Sequence, residues 1–99
     1  MDIIAKARLR LRITAAVFDS EIEDVIKAAI KDLMIAGVTG LDIEDIDNNT
    51  DPLRLQAIMT YVKAHFGEAD QYDRLKAAYD EQKAQLQTAT GYTTWTEVQ

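Results

Sequence analysis

The chain has 99 residues, of which 47% are hydrophobic and 28% charged, a balance that predicts one globular domain with a thin core. It contains no cysteine, which excludes disulfides, thiolate nucleophiles and cysteine metal sites. The net charge of −6 is uneven: residues 1–12 carry four cations against one carboxylate, a net +3, so the remainder carries −9 and should repel a phosphate backbone.

The first segment, residues 2–12, fits two kinds of element. On a helix, four apolar residues share one face: Ile3, Ile4, Ala7 and Leu11. On a strand, apolar residues alternate with arginines over residues 8–13 equally well. We favour a short helix, because alanine, lysine, arginine and leucine are good helix formers. Its basic arm, Arg8, Arg10 and Arg12, is expected to pair with carboxylates of its own fold or of a neighbouring subunit.

The clearest predicted element is a helix that begins at Ser20. Ser20 and Glu23 form an S-x-x-E capping box, and Gly37 is a natural C-terminal cap. Apolar residues recur at steps of three and four between them: Ile22, Val25, Ile26, Ala29, Ile30, Leu33 and Met34. This stripe predicts an amphipathic helix.

Residues 38–51 form an acidic loop that partly matches a calcium-binding pattern. Asp45, Asp47 and Asn49 stand at positions 1, 3 and 5 of an EF-hand loop. Thr50 replaces the required glycine, and Gln56 replaces the bidentate glutamate. We therefore expect a solvated acidic surface and no bound metal.

Two further helices are predicted after this loop. Asp51 suits the N-cap and Pro52 the first position of a helix that Gly67 ends. The last helix runs from about residue 70 to residue 86, and its stripe is weaker and more polar: Tyr72, Leu75, Tyr79 and Leu86. That stripe predicts a helix at the edge of the core or facing a partner.

The sequence changes character after Leu86. Residues 87–99 lose the helix formers, and β-branched and aromatic residues predict an extended tail. Tyr92 and Trp95 either complete the core or anchor the tail on a neighbouring protein, and we favour the second interpretation. The chain is thus predicted to be an all-α bundle of three to four helices, residues 1–86, with a partner-docking tail, residues 87–99.

The sequence offers no arrangement typical of catalysis. His65 is the only histidine, and no nucleophile or orienting group stands near it. No phosphate-binding, dinucleotide-binding or zinc-protease motif occurs. We expect no enzymatic activity and no cofactor. No apolar run has the length of a secretory signal or a membrane span, so we expect no membrane contact and synthesis in the cytoplasm.

A set of short blocks occurs along the chain in this order: Leu11-Arg12-Ile13, Phe18-Asp19-Ser20-Glu21, Gly37-Val38, Asp51-Pro52-Leu53, Ala57-Ile58 and Tyr61-Val62-Lys63-Ala64-His65-Phe66-Gly67. A helix with Leu75 and Tyr79 follows. This order, over about residues 3–86, resembles the small head–tail connector (head-completion adaptor) proteins of tailed phages. The blocks at 51–53 and 61–67 are its most specific part.

The resemblance implies a helical bundle that assembles in the virion as a ring of twelve copies beneath the portal protein. The ring would extend the DNA channel without sequence-specific binding of the passing DNA, and would receive the tail through a tail-side connector protein. Tyr92, Trp95, Arg8, Arg10 and Arg12 are the residues that we expect to contact partners, and the tail assignment is inferred from the residues rather than from the family. The alternative is a small regulatory or DNA-associated helical protein with a basic N-terminal arm.

Overall fold

Four helices make up the fold in the computed structural model, which describes residues 2–67, 69–89 and 92. They are α1 (Ile3–Leu11), α2 (Asp19–Ile35), α3 (Pro52–Phe66) and α4 (Ala69–Thr88), with 3-10 turns at Ala16–Phe18 and Ile46–Asn48. The described part of the chain is 76% helical and contains no strand. The predicted all-α bundle is confirmed.

Contacts between the helices fix their directions. The backbone N–H of Ile3 donates to Asp47 Oδ1 at 2.8 Å, so α1 begins beside the loop that leads into α3. Arg54, in the first turn of α3, donates to the carbonyl of Thr39, just after α2, at 2.7 Å. Lys83 contacts Asp32, and Gln87 donates to the carbonyl of Ala36 at 3.1 Å, so α2 and α4 run in the same direction. The bundle is therefore up-down-up-down.

The core lies between α2, α3 and the inner face of α4, and α1 packs against α2 and α3. Its fully buried aliphatic residues include four of the predicted α2 stripe, Ile22, Ile26, Ile30 and Leu33, and two of α3, Ile58 and Val62. Tyr79 and Leu86 are the buried anchors of α4. Two members of the stripes depart from the prediction, since Met34 is 40% and Tyr72 45% exposed.

The N-terminal segment is a helix, which resolves the choice between helix and strand. Asp2 caps α1, because its carboxylate accepts the N–H of Ala5 at 2.7 Å. Ile3 and Ala7 face the core. Arg12 ends the helix in the left-handed conformation, with φ of 59°, and its N–H contacts the carbonyls of Arg8 and Leu9.

The predicted capping box at the start of α2 is wrong. α2 begins at Asp19, and Phe18 is its N-cap with no side-chain cap hydrogen bond. The 3-10 turn at Ala16–Phe18 leads directly into the helix, and the carbonyl of Ala16 accepts the N–H of Asp19. Because this turn already supplies backbone acceptors, Ser20 lies inside the first turn rather than at its boundary.

The predicted end of α2 and the predicted start and end of α3 are confirmed. Gly37 follows α2 with φ of 96°, and the N–H groups of Gly37 and Val38 donate to the carbonyls of Met34 and Leu33, the pattern of a Schellman motif. Asp51 caps α3 by accepting two N–H groups of its first turn, each at 3.1 Å. α4 extends to Thr88, two residues beyond the predicted end, because Leu86 is buried and Gln87 is held to α2.

Candidate functional site

The described residue of the C-terminal segment, Tyr92, folds back on the bundle. Its hydroxyl donates to Asp51 Oδ1 at 2.9 Å, and its carbonyl accepts the N–H of Thr39 at 2.7 Å. The guanidinium carbon of Arg54 lies 4.3 Å from the centre of its ring, within cation–π range. Gly40 makes room for this guanidinium, because a Cβ there would lie 2.6 Å from an Arg54 nitrogen. Tyr92 thus closes the gap between the α2–α3 loop and α3.

This cluster changes the ionisation of two side chains. Burial alone would raise the pKa of the Asp51 carboxyl, but the N–H of Arg54, the Tyr92 hydroxyl and the Arg54 charge together lower it. The pKa of Tyr92 is raised, first because its hydroxyl is held by Asp51. The Tyr92 side chain contacts Asp51 and Arg54 of its own chain. That it also contacts a partner stays a prediction. Trp95 lies outside the described residues.

The three arginines of the basic arm have different surroundings. Arg8 Nε lies 3.0 Å from Asp19 Oδ1 as an ion pair, without the alignment of a hydrogen bond. Arg10 and Arg12 are exposed. With Lys63, they surround a groove between the ends of α1 and α3, whose apolar members are Leu11 and Phe66. We call this surface the basic groove.

The acidic loop is organised by its own hydrogen bonds. Asp42 accepts the N–H groups of Glu44 at 3.0 Å and Asp45 at 2.9 Å, and the side chain of Asn48 at 3.1 Å. These bonds lower the pKa of the Asp42 carboxyl, the N–H of Asp45 having the largest effect. The buried Asn49 accepts the N–H of Asp42 and donates to its carbonyl, each at 2.8 Å. The polar groups of Asp42 and Asn49 therefore form hydrogen bonds within the loop and hold its conformation.

Exposed carboxylates and apolar side chains occur together in the acidic loop and at the end of α2. Glu44 and Asp45 are exposed. Leu41 and Met34 line one shallow depression, and Ile35, the next residue along α2, is 76% exposed. We call these five residues the acidic patch. No group of three or more histidine, aspartate or glutamate side chains in the described ranges is placed to hold a metal ion.

A polar cleft between α2, α3 and α4 carries several titratable groups. Tyr79 Oη donates to Asp32 Oδ2 at 2.5 Å, and Lys83 Nζ lies 3.2 Å from the same oxygen. The ring of Tyr61 lies 5.1 Å from that of Tyr79 and 4.7 Å from that of His65. The cleft has a volume of about 200 Å³, below the range of about 300–1,000 Å³ typical of small-molecule sites.

Burial and hydrogen bonds determine the state of several titratable side chains in this cleft. Burial, followed by the hydrogen bond to Asp32, raises the pKa of Tyr79, so its hydroxyl stays protonated. Burial also raises the pKa of Tyr61. Lys76 is engaged by Asp80, with both carboxylate oxygens within 2.9 Å. Tyr79 and Lys83 of α4 both contact Asp32, so these contacts hold α4 to α2.

Sequence reasoning missed three residues of these clusters: Asp32, Arg54 and Asn49. Asp32 meets Tyr79 across 47 positions of the chain, so no local pattern indicates the contact. The contacts of Arg54 with Thr39 and Tyr92 also join residues that are distant in sequence, so no local pattern indicates them. Asn49 was noted only as position 5 of an incomplete calcium pattern, and the loop was expected to be a solvated acidic surface, because an aspartate- and asparagine-rich loop fits both a metal site and a self-bonded turn.

Comparison with known proteins gives one match. The model of a protein family described as phage connector protein matches residues 3–93. No curated protein and no solved structure matches the chain. None of the helices within the described residues is long and apolar enough to cross a membrane.

Proposed function

The chain belongs to the phage connector protein family, and on this basis we propose that it forms a ring beneath the portal protein of a tailed phage. In this proposal the ring continues the DNA channel and receives the tail through a tail-side connector protein. The observation that carries the proposal is the family match over residues 3–93, which spans all four helices and the acidic loop.

A connector is a structural component of the phage particle, and it acts through contacts with other head and tail proteins. We further propose that the ring has twelve copies, that it contacts the portal in the virion, and that the chain is made in the cytoplasm of the host. The net charge of −6 supports a channel wall that passes DNA without gripping it, because a phosphate backbone is repelled by an acidic surface.

The tail is the segment that we propose for docking on the portal or on a neighbouring copy. Tyr92 holds the chain beside Asp51 and Arg54, and Trp95 follows three residues later. Tryptophan is a favoured anchor at interfaces because it buries a large rigid surface. We therefore assign docking to Trp95 first. A partner that binds Tyr92 as well must displace its contact with Asp51.

The test is the mass of the full chain mixed with a portal oligomer, by native mass spectrometry and electron microscopy. We expect a complex that carries many copies of the chain in a ring. Trp95→Ala should reduce the number of bound copies, whereas Thr94→Ala, its neighbour, should not. A chain that remains monomeric and does not bind the portal contradicts the proposal.

The DNA-associated alternative is kept because Arg10 and Arg12 are exposed at one end of the bundle. Arg8 contributes less to it, since its charge is paired with Asp19. Salt-dependent binding of duplex DNA that is weakened by Arg10→Ala and Arg12→Ala would support this function. Lys31→Ala is a control, because Lys31 is an exposed cation on α2.

A further inference from the structure

The basic groove gathers three cations that have no carboxylate partner among the described residues. Five other cations of the described residues form ion pairs: Arg8, Lys27, Arg54, Lys76 and Lys83. Arg10, Arg12 and Lys63 form none within the part of the chain that the structure describes. Lys6, Lys31 and Arg74 also form none among the described residues, but Arg10, Arg12 and Lys63 line the same groove, in a chain whose net charge is −6. They indicate a surface that binds an acidic partner.

The floor of the groove gives that partner a second property. Leu11 and Phe66 line the groove and are only partly buried against the core. A partner that fits the groove therefore combines carboxylates with apolar side chains. An interface needs both, because apolar contact supplies affinity while charge supplies orientation and the rate of encounter.

The same chain carries a surface with this combination. In the acidic patch, Glu44 and Asp45 are exposed and form no ion pair among the described residues. Their turn is fixed by the carboxylate of Asp42, so little conformational freedom is lost when a partner binds. Met34 and Ile35 supply exposed apolar area beside this loop.

The two surfaces lie at opposite ends of α3. Arg54, in its first turn, holds the segment that leads into the acidic loop, and Phe66, in its last turn, lines the basic groove. Twelve residues of helix separate these positions, about 18 Å at 1.5 Å per residue. One molecule cannot join its own two surfaces, so a contact between the groove and the patch requires two copies.

We propose that the basic groove of one copy binds the acidic patch of the next, with Glu44 and Asp45 against Arg12 and Lys63. The contact joins two different surfaces, so it is heterologous, and such contacts generate a ring when the rotation closes. The inference rests on the proposed function for the ring, but the contact itself needs only two copies of this chain.

The first experiment exchanges the charges of the two surfaces. In one variant Arg12→Glu and Lys63→Glu make the groove acidic, and in the other Glu44→Lys and Asp45→Lys make the patch basic. Self-association is measured by sedimentation velocity, for the free chain at high concentration and for the chain assembled on a portal oligomer. We expect each variant alone to associate at least about tenfold more weakly than the wild type, because like charges then face each other.

An equal mixture of the two variants should recover assembly. Each acidic groove then meets a basic patch, and each unchanged groove meets an unchanged patch, so both contacts of an alternating ring are complementary. Attraction by net charge cannot explain recovery, because two reversals move the net charge of −6 by four units, to −10 in one variant and −2 in the other. A mixture that stays as weakly associated as the single variants overturns the proposal.

Cysteine crosslinking tests the placement directly, since the chain has no cysteine of its own. A chain with Arg12→Cys and Glu44→Cys, treated with a short bis-maleimide, should give a ladder of covalent multimers. The control carries Lys31→Cys and Glu44→Cys, because Lys31 is also an exposed unpaired cation of the described residues but lies on α2, away from the groove. Equal ladders from the two chains would contradict the assignment.

The two proposals fail in different ways. If wild-type chains assemble on the portal while charge exchange has no effect, the portal connector stands and this interface is overturned. If the mixture recovers self-association but no form binds the portal, the interface stands and the proposed function fails. If the groove variants instead lose only portal binding or only DNA binding, an acidic segment of the portal or a phosphate backbone is the occupant and a second copy is not.

Discussion

Tyr79→Phe is predicted to destabilise the bundle by removing one hydroxyl. Tyr79 is 1% exposed, and its hydroxyl donates to Asp32 at 2.5 Å. A hydrogen bond to a charged group contributes about 1.5–3 kcal/mol to stability. Asp32 keeps Lys83 at 3.2 Å, and its side chain is 40% exposed, so water can replace part of the lost bond. We therefore expect a loss of about 1–1.5 kcal/mol, at or just below the lower limit of that range.

The assay is urea unfolding of the full chain, with thermal unfolding beside it. For a domain of this size a loss of about 1–1.5 kcal/mol lowers Tm by about 4–12 °C. Tyr72→Phe is the matched control, because Tyr72 lies on the same helix, is 45% exposed and should change stability by less than about 0.5 kcal/mol. Equal effects of the two substitutions would refute the argument that the hydroxyl of Tyr79 binds α4 to α2.

The same residue predicts a pH dependence. The pKa of Tyr79 is raised in the folded chain, first by burial and then by the bond to Asp32. The unfolded chain therefore loses this proton first, near the ordinary tyrosine pKa of about 10. The stability that Tyr79 contributes is fully present below that pH and is lost as the pH rises above it. Tyr79→Phe should accordingly show a shallower loss of stability above about pH 10, and parallel profiles would refute the assignment.

Three further perturbations test the ends and the loop. Asn49→Ala leaves the N–H and carbonyl of Asp42 and the carbonyl of Ile46 without their partner, and it should cost about 2–3 kcal/mol in urea unfolding. The control Asn48→Ala changes an exposed side chain and should cost less than half as much. Similar losses would contradict the role of Asn49. Asp51→Ala removes the cap of α3 and should lower stability by about 1 kcal/mol, against no change for the exposed Asp45→Ala; an Asp51→Ala chain as stable as the wild type would contradict the cap. Truncation after Leu86 should leave a folded protein by circular dichroism that binds the portal poorly, and loss of folding would place the removed segment in the core instead.

The sequence predicted the elements of this fold better than the contacts between them. Three helices could be placed because their signals are local: apolar steps of three and four residues, Gly37 after α2, and Asp51 with Pro52 before α3. The start of α2 was missed because a 3-10 turn at residues 16–18 carries no distinctive side-chain pattern. The S-x-x-E pattern also arises by chance where a first turn is rich in acidic residues. Here it predicted a side-chain cap at a helix start that follows directly from a 3-10 turn.

The polar clusters could not be predicted, for a different reason. Tyr79 with Asp32 and Tyr92 with Asp51 join residues more than forty positions apart. Such contacts depend on how the helices pack, and periodicity gives the face of a helix but not its neighbour. The sequence singled out Tyr92 as an aromatic residue of the segment that follows Leu86, where the helix formers are lost. It could not indicate that the ring lies under the guanidinium of Arg54.

The positions of the groove cations have two physical explanations that make different predictions. Arg10 and Lys63 lie in the last turns of α1 and α3, where a helix dipole attracts positive charge. That effect contributes about 0.3–1 kcal/mol per residue to the stability of a single chain. If it were the whole explanation, Arg12→Glu with Lys63→Glu would lower the free energy of unfolding of the monomer, and adding the Glu44→Lys, Asp45→Lys chain would restore nothing.

The interface explanation predicts the opposite balance for the same variant. Arg12 and Lys63 are exposed, so their dipole energies are screened and the monomer should lose at most about 1 kcal/mol in urea unfolding. Self-association should fall by about tenfold or more and return on mixing with the second variant. Dilute samples measure monomer stability and concentrated samples measure assembly, so one pair of proteins separates the two effects. A variant that loses stability at every concentration, with no recovery on mixing, would assign the cations to the helix ends alone.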